Sequence, residues 1–263
     1  MGVRILCVGD VVGDPGRRIL QRGLEALVPR HGIDCVIVNA ENAAGGSGLT
    51  ASIHDRLLKL GANLLTLGDH IYRRKEIIPV LEQSLCAVRS ANLPKSAPGR
   101  EFAVHHTATH VPVAVVSLLG RLYMKIQVDC PFRAADRVLA AIPREVRIVV
   151  VDFHAEATSE KVAMGWHLDG RVSVLFGTHT HVPTADERVL PKGTAYVTDV
   201  GMTGPYDSVL GRRKDRVLSV MLNGVPQTFD VAEGDVRMCG VLAEVDASTG
   251  RATAIERVCF KEG

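Results

Sequence analysis

Polar motifs stand at the ends of five apolar runs. Gly9-Asp10 follows Ile5 to Val8, Asn39-Ala40-Glu41-Asn42 follows Val36 to Val38, and Gly68-Asp69-His70 follows Leu64 to Leu67. Phe153-His154 follows Ile148 to Val151, and Gly177-Thr178-His179-Thr180-His181 follows Val172 to Phe176. In an open α/β sheet the carboxyl ends of the strands lie side by side, and ligands bind there. Five such ends deliver two or three carboxylates, one carboxamide and four imidazoles to one place. Carboxylate and imidazole at that density make a ligand set for a pair of divalent transition metals.

Each motif also has a plainer reading. His179 and His181, at i and i+2, would point to opposite faces of a regular strand. Just past a strand end, where Gly177 loosens the backbone, both can turn toward one centre; otherwise they are loop histidines. Asp10 could cap the following helix, a task for which Asp14 competes. Glu41, directly after a buried parallel strand, is costly unless paired or metal-bound. His154 has the same problem, solved either by hydrogen bonds or by a ligand. Joint occurrence at five strand ends favours one shared site.

Other chemistries lack their motifs. No Ser sits in a G-x-S-x-G elbow, and neither G-x-G-x-x-G nor a Walker A loop is present. Gly45-Gly46-Ser47-Gly48 could cradle an anion through backbone N–H groups, or be a flexible turn.

The elements that must position these motifs alternate strand and helix in the first half. Asp14-Pro15 reads as N-cap and first helical residue, with Ile19, Leu20, Leu24, Leu27 and Val28 at helical spacing and a stop at Gly32. Thr50 to Leu60 and Glu76 to Leu81 read as helices, the latter interrupted by Pro79. Ala62 to Leu67 reads as a strand between them. Phe102 to Val104 and Val111 to Leu119 read as strands, Arg133 to Ile142 as a helix and Arg147 to Phe153 as an apolar strand. Beyond Gly177 helical signals largely stop. Thr194–Thr198, Arg216–Leu222, Met238–Val245 and Thr253–Phe260 read as strands. A parallel first half and an antiparallel second half give the expectation of two packed mixed sheets with helices outside.

The 263 residues, with no linker or repeat, are expected to form one domain, 1–263. Hydrophobic residues make up 46% and charged residues 23%, the composition of a soluble protein. A net charge of +2 gives no bulk electrostatic argument for nucleic acid. None of the six cysteines forms a CxxC pair, and Cys7, Cys35 and Cys259 lie within apolar runs as small hydrophobes. Met1-Gly2-Val3-Arg4 runs straight into a strand without a signal peptide, and no run approaches a membrane span. A reduced, cytoplasmic protein is expected, its oligomeric state open.

The ordered blocks resemble those of the calcineurin-like metallophosphoesterases. The specific branch resembles the YmdB-like phosphodiesterases, a bacterial family in which the first block loses its His and an Asn-x-Glu-Asn block replaces the bridging Asp. Here those blocks read Asp10-Val11-Val12-Gly13 and Asn39-Ala40-Glu41-Asn42-Ala43-Ala44-Gly45-Gly46. Ala91-Asn92-Leu93-Pro94, Asp152 to Lys161 and Thr198 to Pro205 extend the resemblance over nearly the whole chain. In one position the chain departs: the family's Gly-Asn-His is Gly68-Asp69-His70. Aspartate is a legitimate oxygen ligand, but its charge should tighten metal binding and weaken Lewis acidity.

The resemblance implies a four-layer α/β/β/α sandwich with a dinuclear centre between the sheets. One metal would be held by Asp10, Glu41, Asn42 and His181, the other by Glu41, Asp69, His154 and His179, with iron or manganese favoured. Such a pair acidifies a shared water and clamps phosphoryl oxygens. His70 would serve as the catalytic group that protonates the leaving alkoxide or stabilises its developing charge. The implied activity is a phosphodiesterase acting on small cyclic nucleotides such as 2′,3′-cyclic AMP. A regulatory phosphate-binding protein with little turnover, and a phosphomonoesterase or nuclease, are the alternatives. The turn-rich segment Thr198 to Gly211 either lines the site through Tyr206 or is structural.

Overall fold

The computed structural model describes residues 2–262; Met1 and Gly263, and the expectations that touch them, lie outside the described residues. The chain runs β1 (Gly2–Val8), α1 (Gly13–His31), β2 (Cys35–Asn39), α2 (Ala51–Lys59), β3 (Leu64–Thr66), a 3-10 turn (Lys75–Ile77), α3 (Ile78–Gln83), β4 (Phe102–His106) and β5 (Pro112–Leu119). It continues through α4 (Pro131–Ala141), β6 (Ile148–His154), α5 (Thr158–Leu168), β7 (Val174–Thr178), β8 (Arg188–Val189), β9 (Ala195–Val197), β10 (Gly204–Pro205), α6 (Lys214–Asn223), β11 (Val236–Asp246) and β12 (Ala252–Lys261).

Strand alternation sorts the side chains into layers. In β1, Val3, Ile5 and Cys7 enter one apolar layer, and Leu6 and Val8 enter another. In β6, Ile148 and Val150 join the layer of Ile5, while Val149, Val151 and Phe153 face a third, with Val138 of α4 and Met164 of α5. Leu20 and Leu24 of α1 and Leu57 of α2 cover Leu6 and Val8 from outside. Three apolar layers separate four structural ones, and the expected α/β/β/α sandwich of two mixed sheets is borne out.

In the first sheet β1, β2 and β3 are parallel, β11 runs antiparallel to β1, and β12 and β10 pair with β11. The second sheet has the order β4-β5-β6-β7-β9-β8, with β5, β6, β7 and β9 parallel. The division into a parallel first half and an antiparallel second half is therefore corrected. Helices α4 and α5 return the chain to the same end each time, which keeps β5, β6 and β7 parallel.

Four local expectations are also corrected. Helix α1 begins at Gly13 with Val12 at its N-cap; Asp14 lies in the first turn and pairs with Arg17 and Arg18 instead. Pro79 opens α3 rather than interrupting a helix, since its missing N–H is unneeded there. Arg216–Leu222 is part of helix α6, closed by Gly224 in the left-handed region, and only Val217 of it is buried. Helix α5 was not expected, because its buried face includes the charged Glu160 and Lys161. Cys7 and Cys35 are buried between the sheets, but Cys259 is exposed on β12.

Candidate metal centre

The inter-sheet layer turns polar at its carboxyl end. The same alternation that buries Ile37, Leu64, Val150 and Phe176 carries Asn39, Thr66, Asp152, His154 and Thr178 into that layer, all fully buried. Asp152 accepts from Asn39 Nδ2 at 2.9 Å, from Thr178 Oγ1 at 2.7 Å and from the Thr66 hydroxyl. Asn39 Oδ1 accepts from the Glu41 N–H at 3.2 Å, which holds the turn that carries Glu41. His154 Nδ1 meets Thr178 Oγ1 at 2.8 Å.

Directly above this floor, Glu41, Asp69, His154 and His179 each offer one ligand atom, all within 4.8 Å of one another. His154 Nε2 lies 3.2 Å from Glu41 Oε1, 3.3 Å from Asp69 Oδ1 and 3.0 Å from His179 Nδ1. On the other side of Glu41, Asn42 Nδ2 donates to Glu41 Oε1 at 3.0 Å and lies 3.3 Å from His181 Nε2. Asp10 Oδ1 is 3.9 Å from His181 Nε2 and is buried without a hydrogen-bond partner among the described residues. An orphaned buried carboxylate oxygen facing an imidazole nitrogen fits a cation between them. The donors are oxygen and nitrogen only, the set that iron, manganese and zinc accept.

The backbone is shaped to permit this crowding. A Cβ at Gly68 would sit 2.2 Å from Glu41 Oε2 and 2.4 Å from the His154 ring, so any side chain there would displace both. Gly177 does not loosen the chain as expected. It lies inside β7, where a Cβ would collide with the Thr198 carbonyl at 1.7 Å. The turn is made by His179 and His181 themselves, at φ 91° and 63°. Such conformations are costly for side chains with a Cβ and persist only where surroundings impose them. Asp199 imposes them, accepting from Thr180 Oγ1 at 2.6 Å and pairing with buried Lys161 at 2.7 Å. His181 Nδ1 meets the Leu210 carbonyl at 3.1 Å, and His179 Nε2 meets Glu156 Oε2 at 3.0 Å. Each contact leaves the other ring nitrogen turned toward the cluster.

The electrostatics are those of a cation-binding pocket. Burial pushes the Asp10 carboxyl well up, against the pull of His154. Burial would also raise Glu41 and Asp69, but the His154 imidazolium beside them holds both below the usual carboxylate range. His154 in turn is held well above its ordinary value, its desolvation outweighed by Glu41 and Asp69. Burial, reinforced by His154, brings His179 down to about 4, and burial likewise lowers His181. One imidazolium thus stands amid carboxylates, where a divalent ion would replace its proton.

All seven expected ligands, Asp10, Glu41, Asn42, Asp69, His154, His179 and His181, are brought into this cluster or to its edge. His70 stands at the rim, with Nδ1 2.8 Å from Asn42 Oδ1 and its backbone N–H 3.2 Å from Glu41 Oε2. The Gly45 to Gly48 turn is not an anion cradle: its Gly45 and Gly46 carbonyls take the Arg212 guanidinium. Tyr206 faces away from the site, donating to the Met202 carbonyl at 3.0 Å and touching Cys239 Sγ at 3.1 Å. Its segment acts through Leu210 and Asp199 instead. Thr66, Thr178, Asn39, Asp152, Glu156 and Lys161 were not anticipated as supports. Polar residues interrupting or closing apolar strands are the available signal for Asn39 and Asp152.

The YmdB-like protein family model matches residues 6–258. The chain is 43% identical over 260 residues to the 2′,3′-cyclic-nucleotide 2′-phosphodiesterase of Bacillus subtilis, covering 99% of this chain and 98% of that protein. The crystal structure of a hypothetical protein from Thermus thermophilus superposes with a TM-score of 0.92 at 41% identity, covering 99% of this chain and 100% of the other. That of a novel phosphatase from Mycoplasma pneumoniae gives 0.92 at 34% identity, covering 99% and 94%.

Proposed function

The chain belongs to the YmdB-like family, and from that membership we propose that it is a single-domain, metal-dependent phosphodiesterase hydrolysing nucleoside 2′,3′-cyclic phosphates. It shares the four-layer calcineurin-like fold and is a phosphoester hydrolase. The observation that carries the finer reading is the convergence of Glu41, Asp69, His154 and His179 within 4.8 Å, beside the orphaned Asp10 oxygen.

In this reading Asp10, Glu41, Asn42 and His181 hold one divalent ion and Glu41, Asp69, His154 and His179 a second, iron or manganese suiting the donors. When bound, such a pair supplies an acidified water as nucleophile and a positive field for the phosphoryl oxygens. Glu41, whose Oε1 meets both Asn42 Nδ2 and His154 Nε2, would belong to both. Thr178 and Glu156 hold the protons of His154 Nδ1 and His179 Nε2 away from the cluster.

His70 handles the leaving group. Here its Nδ1 faces Asn42 Oδ1. If Asn42 is an oxygen ligand, its carboxamide must make a half turn and present Nδ2 to His70 instead. His70 Nδ1 then accepts, and the ring proton resides on Nε2. That tautomer stabilises the leaving alkoxide by donating a hydrogen bond from Nε2.

A second reading, a phosphate sensor with little turnover, is favoured by the charge of Asp69. Among the described residues no helix is long and apolar enough to cross a membrane, and a cytoplasmic location accords with that. The test is metal analysis of the purified protein followed by turnover of 2′,3′-cyclic AMP and of a phosphomonoester with added Mn²⁺. Two ions per chain with diester turnover support the enzyme. Two ions with tight phosphate binding and no turnover support the sensor, and no retained metal overturns both.

A further inference from the structure

Between β5 and α4 the chain crosses the mouth of the site as a strap that turns at Leu122–Tyr123 and bends at Lys125–Ile126. One end is fixed by the Glu160 carboxylate, which accepts from Arg121 N at 3.0 Å and Leu122 N at 3.2 Å. The other is fixed by Asn92, whose Nδ2 donates to the Leu119 and Asp129 carbonyls at 2.7 and 3.0 Å. Between these anchors the residues alternate. Met124, Ile126 and Val128 pack on the first apolar layer, while Tyr123 and Lys125 are exposed.

Tyr123 is anomalous on two counts. Its backbone is in the left-handed region, φ 63°, where a bulky residue is strained. Its side chain gains nothing in return: the residue is 87% exposed, and its ring has no aromatic partner among the described residues. Yet Tyr123 lines a cleft of about 460 Å³ that it shares with Asp69, His70 and His179 of the metal centre. Two further walls of that cleft are the cations Arg73 and Lys125, neither of which forms an ion pair or side-chain hydrogen bond among the described residues. Arg73 is held three residues past His70 by a turn closed by its own N–H on the His70 carbonyl at 3.0 Å. Strained, unpacked aromatics beside catalytic groups are characteristic of ligand clamps.

We propose that Tyr123, Arg73 and Lys125 form the nucleotide subsite of this cleft, the Tyr123 ring stacking the base and the two cations neutralising phosphate. This rests on the phosphodiesterase reading for the phosphate position, and extends it by assigning the base. The strap is pinned at both ends and packed down through Met124, Ile126 and Val128, so the ring is presented at a fixed height without a side-chain partner of its own. An aromatic face stacks any base and prefers the larger purine surface. Lys125 and Arg73 act on charge alone and are indifferent to the base.

The test compares two cyclic diesters, adenosine 2′,3′-cyclic phosphate and the base-free glycerol 1,2-cyclic phosphate. Tyr123→Ala should lower the ratio of their kcat/KM values by about 5- to 50-fold, and Tyr123→Phe should restore it. The preference for the adenosine over the cytidine substrate should shrink in parallel. Arg73→Ala and Lys125→Ala should each weaken adenosine monophosphate binding by about 2- to 10-fold, an effect that fades as salt rises. Calorimetric binding of adenosine monophosphate against inorganic phosphate reads the subsite without turnover. A Tyr123-dependent preference for the nucleotide in that assay, with no diester hydrolysis, upholds the subsite and overturns the phosphodiesterase reading. An unchanged ratio in both assays overturns the subsite, whatever the turnover.

Discussion

Thr178 donates its hydroxyl proton to Asp152, Oγ1 to Oδ1, at 2.7 Å. A hydroxyl has one proton, so the same oxygen can only accept from His154 Nδ1, 2.8 Å away. That commits the Nδ1 proton of His154 to Thr178 and turns Nε2, the nitrogen whose proton a metal would replace, toward Glu41, Asp69 and His179. Asp152 takes two further donors, Asn39 and Thr66, from the opposite sheet. Burial pushes its carboxyl up, but His154 and three hydrogen bonds work to keep it an acceptor. One carboxylate between two sheets therefore sets the orientation of a histidine in the cluster, and its tautomer once Nε2 gives up its proton.

Thr178→Val removes the relay with little change in volume. Partners behind metal-binding histidines typically contribute 10- to 100-fold to affinity, and roughly that loss is expected here in competition with a chelator. Thr178→Ser, which keeps the hydroxyl, should restore most of it. If Val and Ser variants hold metal equally well, Thr178 only fills space.

The buried Lys161–Asp199 pair should show the cost of stranding a charge. Lys161→Met leaves Asp199, 1% exposed, without its cation. Removing one partner of a buried pair destabilises by about 3–5 kcal/mol. For a domain of this size that is a fall in Tm of roughly 6–20 °C by thermal melt. The loss should be smaller in Lys161→Met combined with Asp199→Leu. Equal Tm values for the single variant and the parent protein would show that Thr180 and the backbone suffice to hold Asp199.

The residues that carry chemistry were legible because each breaks an apolar run at a point where a polar group is expensive. Asp10, Glu41, Asp69 and His154 announce themselves that way. Thr66 and Thr178 do not, because a threonine suits a strand and gives no sign that its hydroxyl is spoken for. Helix α6 read as a strand because Val217, Leu218, Val220, Met221 and Leu222 are apolar in sequence, yet Leu218, Met221 and Leu222 are exposed. Pattern reading assumes that apolar residues are buried, and α6 breaks that assumption. For Tyr206 the structural alternative is the one its contacts favour: a turn-rich segment after a strand looks functional, but its ring is committed to Met202 and Cys239.

The metal-free protein should respond to pH in the opposite sense to the loaded one. The folded pKa of His154 is raised, so its contribution to metal-free stability is fully present below the ordinary imidazole value and is lost as pH rises through the folded value. Metal binding needs the neutral ring and strengthens as pH rises. The gap in Tm between loaded and chelator-stripped protein should therefore narrow as pH falls from about 8 to about 5.5. A gap that widens on acidification would mean that His154 is not the group that gives up its proton to metal.

His70→Ala should lower diester turnover by roughly 10²–10⁴-fold, the usual contribution of an acid–base group acting at the leaving oxygen. Metal content should stay near normal, since no ring nitrogen of His70 is among the four clustered ligand atoms. Substrates with a good leaving group, such as nitrophenyl diesters, should be hurt less, because their leaving oxygen develops less charge. Loss of an ion on substitution would make His70 a ligand.

The position of Asp69 carries the sharpest test. Its Oδ1 lies 3.3 Å from His154 Nε2 and 3.7 Å from His179 Nδ1, within the four-residue cluster, and His154 holds its carboxyl well below the usual range. It is therefore charged in the working pH range and puts a full negative charge where the family motif has a neutral carboxamide. Each added anion offsets part of the field by which metals acidify water, and repels an anionic diester. Asp69→Asn should accordingly raise kcat on 2′,3′-cyclic AMP, move the rising limb of the pH–rate profile to lower pH, and release metal sooner to a chelator. A single electrostatic cause underlies all three, so they should shift together. Tighter metal retention with slower hydrolysis in Asp69→Asn would show instead that the surrounding imidazoles are tuned to a carboxylate, and that Asp69 serves turnover rather than restraining it.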